Sequence, residues 1–204
     1  MRIRLQQAGK RYNRDWIFKN LDYEFTTGSY AITGNNGSGK STLLQTVGGY
    51  ISPSKGDVSY TFNGVEIASE NIFNYLSIAT PYLDMIEEMT ASELIHFQGT
   101  FKPYKQGISI DKILDTCGLK LAANKQIRYF SSGMKQRLKL GLAFFADTPL
   151  LLLDEPCTNL DKTGINIYLN LIAEYCDNRL MIVCSNDEQE IAFCNHRLSI
   201  MDYK

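Results

Sequence analysis

A glycine-rich loop carries the clearest chemical signal in this sequence of 204 residues. The run Gly34-Asn35-Asn36-Gly37-Ser38-Gly39-Lys40-Ser41 fits the pattern G-x-x-x-x-G-K-[ST], between a β-rich segment and a helix-forming one. Glycines allow consecutive backbone N–H groups to turn inward around phosphate oxygens, and the N-terminus of the following helix adds positive potential. Lys40 can reach the outer phosphates of a nucleotide, and the Ser41 hydroxyl can ligate magnesium. The candidate phosphate-binding residues are Gly34, Asn35, Asn36, Gly37, Ser38, Gly39, Lys40, Ser41 and Thr42.

Two adjacent acids, Asp154 and Glu155, follow the apolar segment Leu150–Leu153. A strand that is buried on both faces can deliver its terminal carboxylate beside a phosphate loop. There Asp154 would hold magnesium through water, and Glu155 could polarise the water that attacks the terminal phosphate. The alternative is a strand that ends in a solvated acidic turn. The phosphate loop in the same chain favours the first interpretation, with Asp154 as a metal ligand and Glu155 as a catalytic residue.

The elements that must position these residues alternate between strand and helix. Strands are predicted at Arg2–Gln7, Asp22–Phe25, Tyr30–Thr33, Val58–Phe62, Val65–Ile67, Leu76–Thr80, Leu150–Leu153, Leu180–Cys184 and Arg197–Met201. Helices are predicted from Lys40 onward and near Lys162–Tyr175 and Asp187–Phe193. This alternation implies an α/β fold with a mainly parallel sheet flanked by helices, to which a hairpin adds a small antiparallel part.

A helical segment interrupts the alternation between about residues 82 and 147. Its first helix starts at a predicted capping box, Thr90-Ala91-Ser92-Glu93, and runs to about Phe97. Further helices are predicted near Asp111–Cys117 and Ser132–Ala146, with no strand signal between them. We therefore predict one domain over residues 1–204. Residues 1–81 and 148–204 form its α/β core with the β subdomain, and residues 82–147 form an inserted helical subdomain.

Charge and hydropathy exclude several classes of protein. The 21 Lys and Arg residues against 22 Asp and Glu give a net charge of -1, so no global basic field attracts nucleic acid. No apolar stretch approaches the roughly 18 residues that a membrane helix needs, and Met1-Arg2-Ile3-Arg4 does not lead into an apolar signal core. We expect a soluble chain that reaches a membrane only through a partner. The five cysteines are well separated and favour reduced thiols over a zinc site or disulfides.

Two further segments, Phe130–Arg137 and Asn159-Leu160-Asp161, complete a set of motifs. Together with the phosphate loop and the acidic strand end, this set resembles the nucleotide-binding domain of ABC ATPases over essentially the whole chain. The resemblance implies a P-loop NTPase core, ATP as the nucleotide and Mg²⁺ as the ion. It also implies that Ser131 and Gly133, in a segment similar to the family signature L-S-G-G-Q, contact the γ-phosphate of ATP bound to the opposite protomer.

The resemblance gives expectations for two more regions. The segment Asn159–Asp161 looks like the loop that lines the dimer seam in the family. Tyr12 precedes the phosphate loop at the position where the family has an aromatic side chain that stacks on adenine. Trp16 is the alternative stacking residue, and a tyrosine with only a packing role is a third interpretation of Tyr12.

The sequence departs from the family pattern at two positions. The glutamine that precedes the helical insertion would fall near Pro81, and the run Ala79-Thr80-Pro81-Tyr82 contains none. The usual switch histidine aligns with Asn186, whose side chain can donate a hydrogen bond but is never cationic. The resemblance therefore implies a catalytic role for Asn186 with slow turnover. The alternative is that Asn186 only caps a helix that starts near Asp187.

We expect the ATP-binding and ATP-hydrolysing subunit of an ABC transporter. It would form a homodimer, or a pair with a related ATPase subunit, head to tail around two ATP molecules, and would bind separate transmembrane permease subunits but no nucleic acid. It would lie in the cytoplasm at the inner face of the membrane. The stretch Tyr82–Ile86 lies where the family docks a helix of the membrane subunit, although packing of the helical insertion explains it equally well. The alternatives are a soluble ABC ATPase, for example in iron–sulfur assembly, and a regulatory ATP-binding module with weak turnover.

Overall fold

A computed structural model describes residues 1–176 and 178–204. The chain is grouped into two compact units. The first unit consists of Met1–Leu76, Pro149–Asp154 and Asn178–Lys204, and the second consists of Ser77–Thr148 and Glu155–Asp177. This grouping differs from the division predicted at residues 82 and 147, because the segment that follows Asp154 belongs with the helices.

Strands and helices alternate along much of the described chain. The strands are β1 (Arg2–Tyr12), β2 (Asp15–Phe25), β3 (Gly28–Thr33), β4 (Lys55–Phe62), β5 (Val65–Ile67), β6 (Leu76–Ala79), β7 (Leu150–Asp154), β8 (Leu180–Cys184) and β9 (His196–Ser199). The α-helices are α1 (Lys40–Val47), α2 (Ala91–Phe101), α3 (Ile110–Thr116), α4 (Ser132–Phe145), α5 (Lys162–Tyr175) and α6 (Glu188–Ile191). No helix in the described ranges has the length and apolar content that crossing a membrane requires.

The first unit contains an antiparallel sheet with the strand order β2-β1-β4-β5. Ile3 and Leu5 on β1 are buried while the residues between and beside them are exposed, as in a sheet with one face on the core. Both β1 and β2 extend beyond the predicted segments and pair up to an exposed hairpin tip, where Tyr12 lies opposite Asp15. Asn13 makes the turn with φ of 55°, a left-handed conformation that asparagine tolerates.

The first unit also contains four parallel strands in the order β7-β8-β3-β9. Every residue of β7 and β8 is buried, which explains their uninterrupted apolar sequences. The register places Asp154 of β7 opposite Cys184 of β8, and Cys184 opposite Ile32 of β3. The residues that follow these three strands therefore leave the sheet at the same edge.

Helix α4 is the centre of the second unit. Helix α4 packs against α3 and α5. The ring of Phe144 on α4 meets the ring of Tyr168 on α5 edge-on, with 6.2 Å between the ring centroids. A side chain at Gly141 would collide with the Cys117 sulfur, so glycine permits α3 to approach α4 closely. Packing of α5 against α4 explains why residues 155–177 group with the helical segment.

The capping box at the start of α2 is confirmed. The Thr90 hydroxyl accepts the Glu93 N–H at 3.2 Å, and a carboxylate oxygen of Glu93 accepts the Thr90 N–H at 2.8 Å. The hydrogen bonds to Thr90 favour the ionised carboxylate and lower the pKa of Glu93. The sequence pattern therefore identified both where this helix begins and how its first N–H groups are satisfied.

The end of the first unit differs from the prediction. A strand was expected at Arg197–Met201, but β9 ends at Ser199 and a 3₁₀ turn follows at Ile200–Tyr203. The Ser199 hydroxyl accepts the Met201 N–H at 3.3 Å, which stabilises this turn and ends the strand. Helix α6 is also shorter than the predicted segment.

Candidate functional site

The glycine-rich loop lies between β3 and α1 in the first unit. Gly34, Gly37 and Gly39 have φ of 148°, 75° and 97°, a region of backbone space that side chains disfavour. The Ser38 N–H donates to the Asn35 carbonyl at 3.0 Å and closes the loop on itself. This conformation and the position before a helix N-terminus are the features that a phosphate-binding loop requires.

The Lys40 side chain is buried within the loop and is only 6% exposed. Its ammonium donates to the Gly34 carbonyl at 2.7 Å and to the Asn35 carbonyl at 3.3 Å. Neither carbonyl carries a compensating negative charge, so an anionic phosphate would be favoured beside this ammonium. The loop therefore presents a positive centre enclosed by its own backbone.

The glycines of the loop also meet side chains packed behind it. A side chain at Gly34 would lie 2.6 Å from a methyl carbon of Ile200, and one at Gly39 would collide with Ile17. The Ser38 hydroxyl is buried and has no hydrogen-bond partner among the described residues. Buried hydroxyls normally have a partner, so an oxygen-rich ligand or water suits this position.

The sheet places Asp154 at the same edge as the loop. Asp154 is the last residue of β7 and is 4% exposed. Its register partner Cys184 lies opposite Ile32, two residues before Gly34. The strand register therefore brings Asp154 to the edge of the sheet from which the loop leaves, and the segment after β8 leaves from the same edge.

That segment contains Asn186, which binds the first glycine of the loop. The Asn186 amide oxygen accepts the Gly34 N–H at 2.9 Å, and its amide nitrogen donates to the Gly34 carbonyl at 2.5 Å. Helix α6 is instead capped by Asp187, whose carboxylate accepts the Gln189 N–H at 2.9 Å. The capping interpretation of Asn186 is therefore wrong, because its side chain is hydrogen-bonded to the backbone of the loop instead.

The predicted magnesium ligands form a chemically suitable donor set. Ser41 is half-buried in the first turn of α1, and Asp154 is buried at the end of β7. A hydroxyl and a carboxylate are the hard oxygen donors that magnesium prefers beside phosphate oxygens. The residues present therefore fit a magnesium ion bound together with a nucleotide.

Glu155 opens the next part of the second unit and has an unusual backbone. Its φ is 43°, the left-handed region, which costs a non-glycine residue on the order of 1–3 kcal/mol. Its carbonyl accepts the Thr158 N–H at 3.1 Å, which closes a tight turn. Such strained residues concentrate at functional sites, so the outlier supports a specific role for Glu155.

The signature segment forms the N-terminus of α4. Ser131 is the N-cap residue, and its hydroxyl accepts the Met134 N–H at 3.2 Å. Ser131 and Ser132 are exposed, while Phe130 is buried and anchors the preceding chain. The helix therefore presents N–H groups and a hydroxyl to solvent, an arrangement that attracts an anionic phosphate.

Two contacts fix the loop after Glu155 to this helix. The buried side chain of Gln136 donates to the Pro156 carbonyl at 2.8 Å. A side chain at Gly133 would lie 3.0 Å from the Asn159 carbonyl, so glycine permits the close approach. Gln136 was not predicted to have a role in the site. The sequence feature that could have indicated one is a polar residue on the apolar face of α4.

Comparisons with known proteins agree with this geometry. A family model described as ABC transporter matches residues 18–158. Proteins from Agrobacterium fabrum and Reclinomonas americana, both named cytochrome c biogenesis ATP-binding export protein CcmA, are 30% and 33% identical to the chain. The alignments cover 86% and 83% of this chain, and 84% and 77% of the two relatives. The chain belongs to the ABC transporter family as an ATP-binding subunit.

The fold of this ABC subunit is also that of solved ATP-binding cassettes. A dimeric cassette in a post-hydrolysis state with ADP and Pi superimposes with a TM-score of 0.80 at 21% identity. The superposition covers 97% of this chain and 93% of the other. The P-loop NTPase core predicted from the resemblance is thus confirmed.

The two aromatic residues considered for adenine stacking lie near the tip of the β1–β2 hairpin. Tyr12 is 49% exposed and Trp16 is 36% exposed. A side chain at Gly9 would lie 2.9 Å from the Trp16 ring, so this ring packs across the strands. Tyr12 is therefore the more accessible of the two rings in this ABC subunit.

The region with the missing glutamine is held by a lysine of α4. Lys139 is 8% exposed and its ammonium donates to the carbonyls of Thr80 and Pro81 at 3.2 and 2.8 Å. Burial lowers the pKa of Lys139, an effect that Asp84 opposes. The sequence feature that could have indicated this contact is Lys139 itself, the single charged residue in the apolar part of α4.

The stretch that follows is open to solvent. Tyr82, Leu83 and Ile86 are 81%, 42% and 41% exposed. Glu87, directly after it, forms an ion pair with Lys135 of α4 at 2.5 Å. The stretch therefore presents apolar side chains outward while its ends are tied to the signature helix.

Proposed function

We propose that this ABC subunit hydrolyses ATP slowly with magnesium and thereby drives a separate membrane-spanning partner. It acts as one of two ATPase subunits, either identical copies or related chains, which close head to tail over two ATP molecules. The observation that carries the proposal is the exposed, Ser131-capped N-terminus of α4, a helix end suited to an anionic phosphate and grouped in a different unit from the phosphate loop. A second subunit can supply the phosphate that this helix end attracts.

The residues of the chain have distinct tasks in this reaction. Lys40 and the backbone N–H groups of the loop hold the outer phosphates in place. Magnesium, held by Ser41 and through water by Asp154, would neutralise phosphate charge. Glu155 accepts a proton from the attacking water, which adds to the γ-phosphorus as the bond to the β-phosphate oxygen breaks.

Turnover is slow because Asn186 cannot become cationic. Its amide nitrogen already donates to the Gly34 carbonyl, so one of its two N–H groups is occupied. The remaining N–H can donate to a phosphate oxygen as negative charge develops. Loss of one transition-state donor costs on the order of a hundred- to a thousandfold in rate, and a neutral substitute recovers part of this.

The partner is a transmembrane permease that contacts the exposed stretch Tyr82–Ile86. Solvent-exposed apolar side chains at this position favour docking over packing within the helical segment. The subunit is then cytoplasmic and peripheral at the inner face of the membrane. The two relatives named export proteins support an exporter rather than an importer.

Phosphate release by the purified chain tests the ATPase activity. We expect slow, magnesium-dependent release that Lys40→Ala abolishes, since the loop loses its buried cation. Lys125→Ala, at an exposed lysine of the second unit, is the matched control and should behave like the parent chain. Near-parental activity in Lys40→Ala would overturn the site assignment, and tight ATP binding without any hydrolysis would favour a regulatory module.

Membrane association tests the docking stretch. We expect that Tyr82→Ser combined with Ile86→Ser releases the subunit from membranes while ATP hydrolysis persists. Leu121→Ser, at a fully exposed leucine, controls for the loss of a surface apolar side chain. A parental subunit that never associates with membranes would favour a soluble ABC ATPase instead.

A further inference from the structure

The 3₁₀ turn Ile200–Tyr203 lies directly behind the phosphate loop. Ile200 is fully buried, and a side chain at Gly34 or at Gly39 would lie 2.6 or 3.5 Å, respectively, from one of its methyl carbons. Ile17 of β2 also packs against Gly39, where a side chain would collide with it. The loop is therefore supported from behind by two apolar side chains that are distant in sequence.

A cation completes this support. The Lys204 ammonium donates to the Ser38 carbonyl at 2.5 Å and to the Ile17 carbonyl at 2.8 Å. Ser38 lies inside the phosphate loop and Ile17 lies in β2, so one side chain ties the loop to the antiparallel sheet. Hydrogen bonds from a charged donor are stronger than those between neutral groups. The two bonds from Lys204 therefore join the loop to β2 firmly.

The hydrogen bond from Lys204 to the Ser38 carbonyl determines the direction of the next N–H group, that of Gly39. In a trans peptide, the carbonyl of one residue and the N–H of the next point in opposite directions. The Ser38 carbonyl points to Lys204, so the Gly39 N–H points away from it. Gly39 has φ of 97° and no side chain that would resist another orientation of this peptide. The hydrogen bond between Lys204 and the Ser38 carbonyl therefore keeps the peptide in place.

We propose that Lys204 is a positioning residue of the phosphate loop, which orients the Gly39 N–H toward the nucleotide phosphates and adds a positive charge behind the loop. The proposal rests on ATP as the ligand of this loop. Lys204 does not touch the phosphates in this account; it acts through the Ser38 peptide. Lysine and arginine can both supply the charged donor, whereas methionine fills similar space without it.

ATP affinity and steady-state kinetics of Lys204→Met, Lys204→Gln and Lys204→Arg test this role. For Lys204→Met we expect about a tenfold loss of ATP affinity, the effect of one charged hydrogen bond. KM should rise by a similar factor while kcat changes little, and Lys204→Arg should restore both. Lys19→Gln, at an exposed lysine on β2, is the matched control.

The Gly39 amide resonance in protein labelled with ¹⁵N-glycine provides a structural measurement. We expect ATP to shift this resonance strongly in the parent and in Lys204→Arg, and weakly in Lys204→Met. Equal shifts and equal affinities in all three would overturn the proposal, as would the same loss in Lys204→Arg as in Lys204→Met. If Lys204→Met does not fold, the neutral donor in Lys204→Gln should give an intermediate affinity, and parental affinity there would equally contradict the proposal. A parent chain that does not bind ATP would instead refute the proposed function.

Discussion

The side-chain amide of Asn186 forms two hydrogen bonds with the backbone of Gly34, one as acceptor and one as donor. The segment after β8 is thereby joined to the first residue of the phosphate loop. A residue that resemblance places near the γ-phosphate thus also orders the loop. We therefore propose that Asn186 affects both the conformation of the loop and the chemistry next to it.

Substitution of Asn186 separates these two contributions. For Asn186→Ala we expect kcat to fall on the order of ten- to a hundredfold, because a transition-state donor is lost. ATP affinity should fall by less, since Lys40 and the loop backbone supply most ground-state contacts. Asn186→His should raise kcat, because imidazole can become cationic. Stopped-flow phosphate release and equilibrium ATP binding measure the two quantities.

Asn124→Ala is the control for this series, since Asn124 is an exposed asparagine of the second unit. It should leave kcat and ATP affinity unchanged. If Asn186→Ala turned over ATP at the parental rate, Asn186 would be only a structural part of the loop.

Asp154→Asn tests the magnesium assignment. The amide keeps the shape of the side chain but removes the charge that orients metal-bound water. We expect the magnesium dependence of ATP hydrolysis to shift to about 10- to 100-fold higher concentrations, the usual cost of losing such an outer contact. Asp57→Asn, at an exposed aspartate of β4, serves as control. Superimposable magnesium titrations for Asp154→Asn and the parent would remove Asp154 from the metal site.

Burial of Tyr60 predicts a loss of stability in alkaline solution. Tyr60 is 2% exposed and its hydroxyl donates to the Thr46 carbonyl at 3.4 Å. Burial raises the pKa of Tyr60 from 10.0 to about 12. The unfolded chain therefore loses this proton first, so the contribution of Tyr60 is present below pH 10 and is lost progressively from there to about pH 12.

Chemical denaturation at several pH values measures this effect. We expect the free energy of unfolding to fall by about 2 to 3 kcal/mol over this range on account of Tyr60. Tyr60→Phe should show a flatter decline, whereas Tyr129→Phe, at an exposed tyrosine, should match the parent. Identical pH profiles for Tyr60→Phe and the parent would show that Tyr60 ionises normally in the folded chain.

The sequence predicted those parts of the site that depend on local chemistry. The phosphate loop needs glycines, a lysine and a hydroxyl within eight consecutive positions, and each has a local reason. The same holds for the capping box at Thr90, whereas Ser131 was expected from the family resemblance. Such features can be predicted from the sequence because the groups that form them are close together along the chain.

The parts that were missed depend on contacts between distant segments. Lys204 and Ile200 support the loop from far along the chain, and their residue types alone carry no signal for it. The outer half of the β1–β2 hairpin was missed because its buried residues, which include Ala8, Phe18 and Leu21, do not alternate regularly with exposed ones. Register shifts around Ala8 and Lys10 interrupt the pairing there. The grouping of residues 155–177 with the helices follows from the packing of α5 on α4, which spacing in the sequence does not reveal.

If ATP closes two subunits over shared sites, the variant Glu155→Gln should trap the closed dimer. The glutamine keeps the shape of the side chain but cannot accept a proton from water, so ATP remains bound and the closed dimer accumulates. Glu66→Gln, at an exposed glutamate of β5, is the matched control, and Lys40→Ala in the Glu155→Gln background removes ATP binding. The measurement is the molar mass by light scattering with saturating MgATP. We expect the mass of a dimer for Glu155→Gln alone and of a monomer for the double variant. A monomeric mass for Glu155→Gln with ATP bound would show that ATP does not close two subunits together.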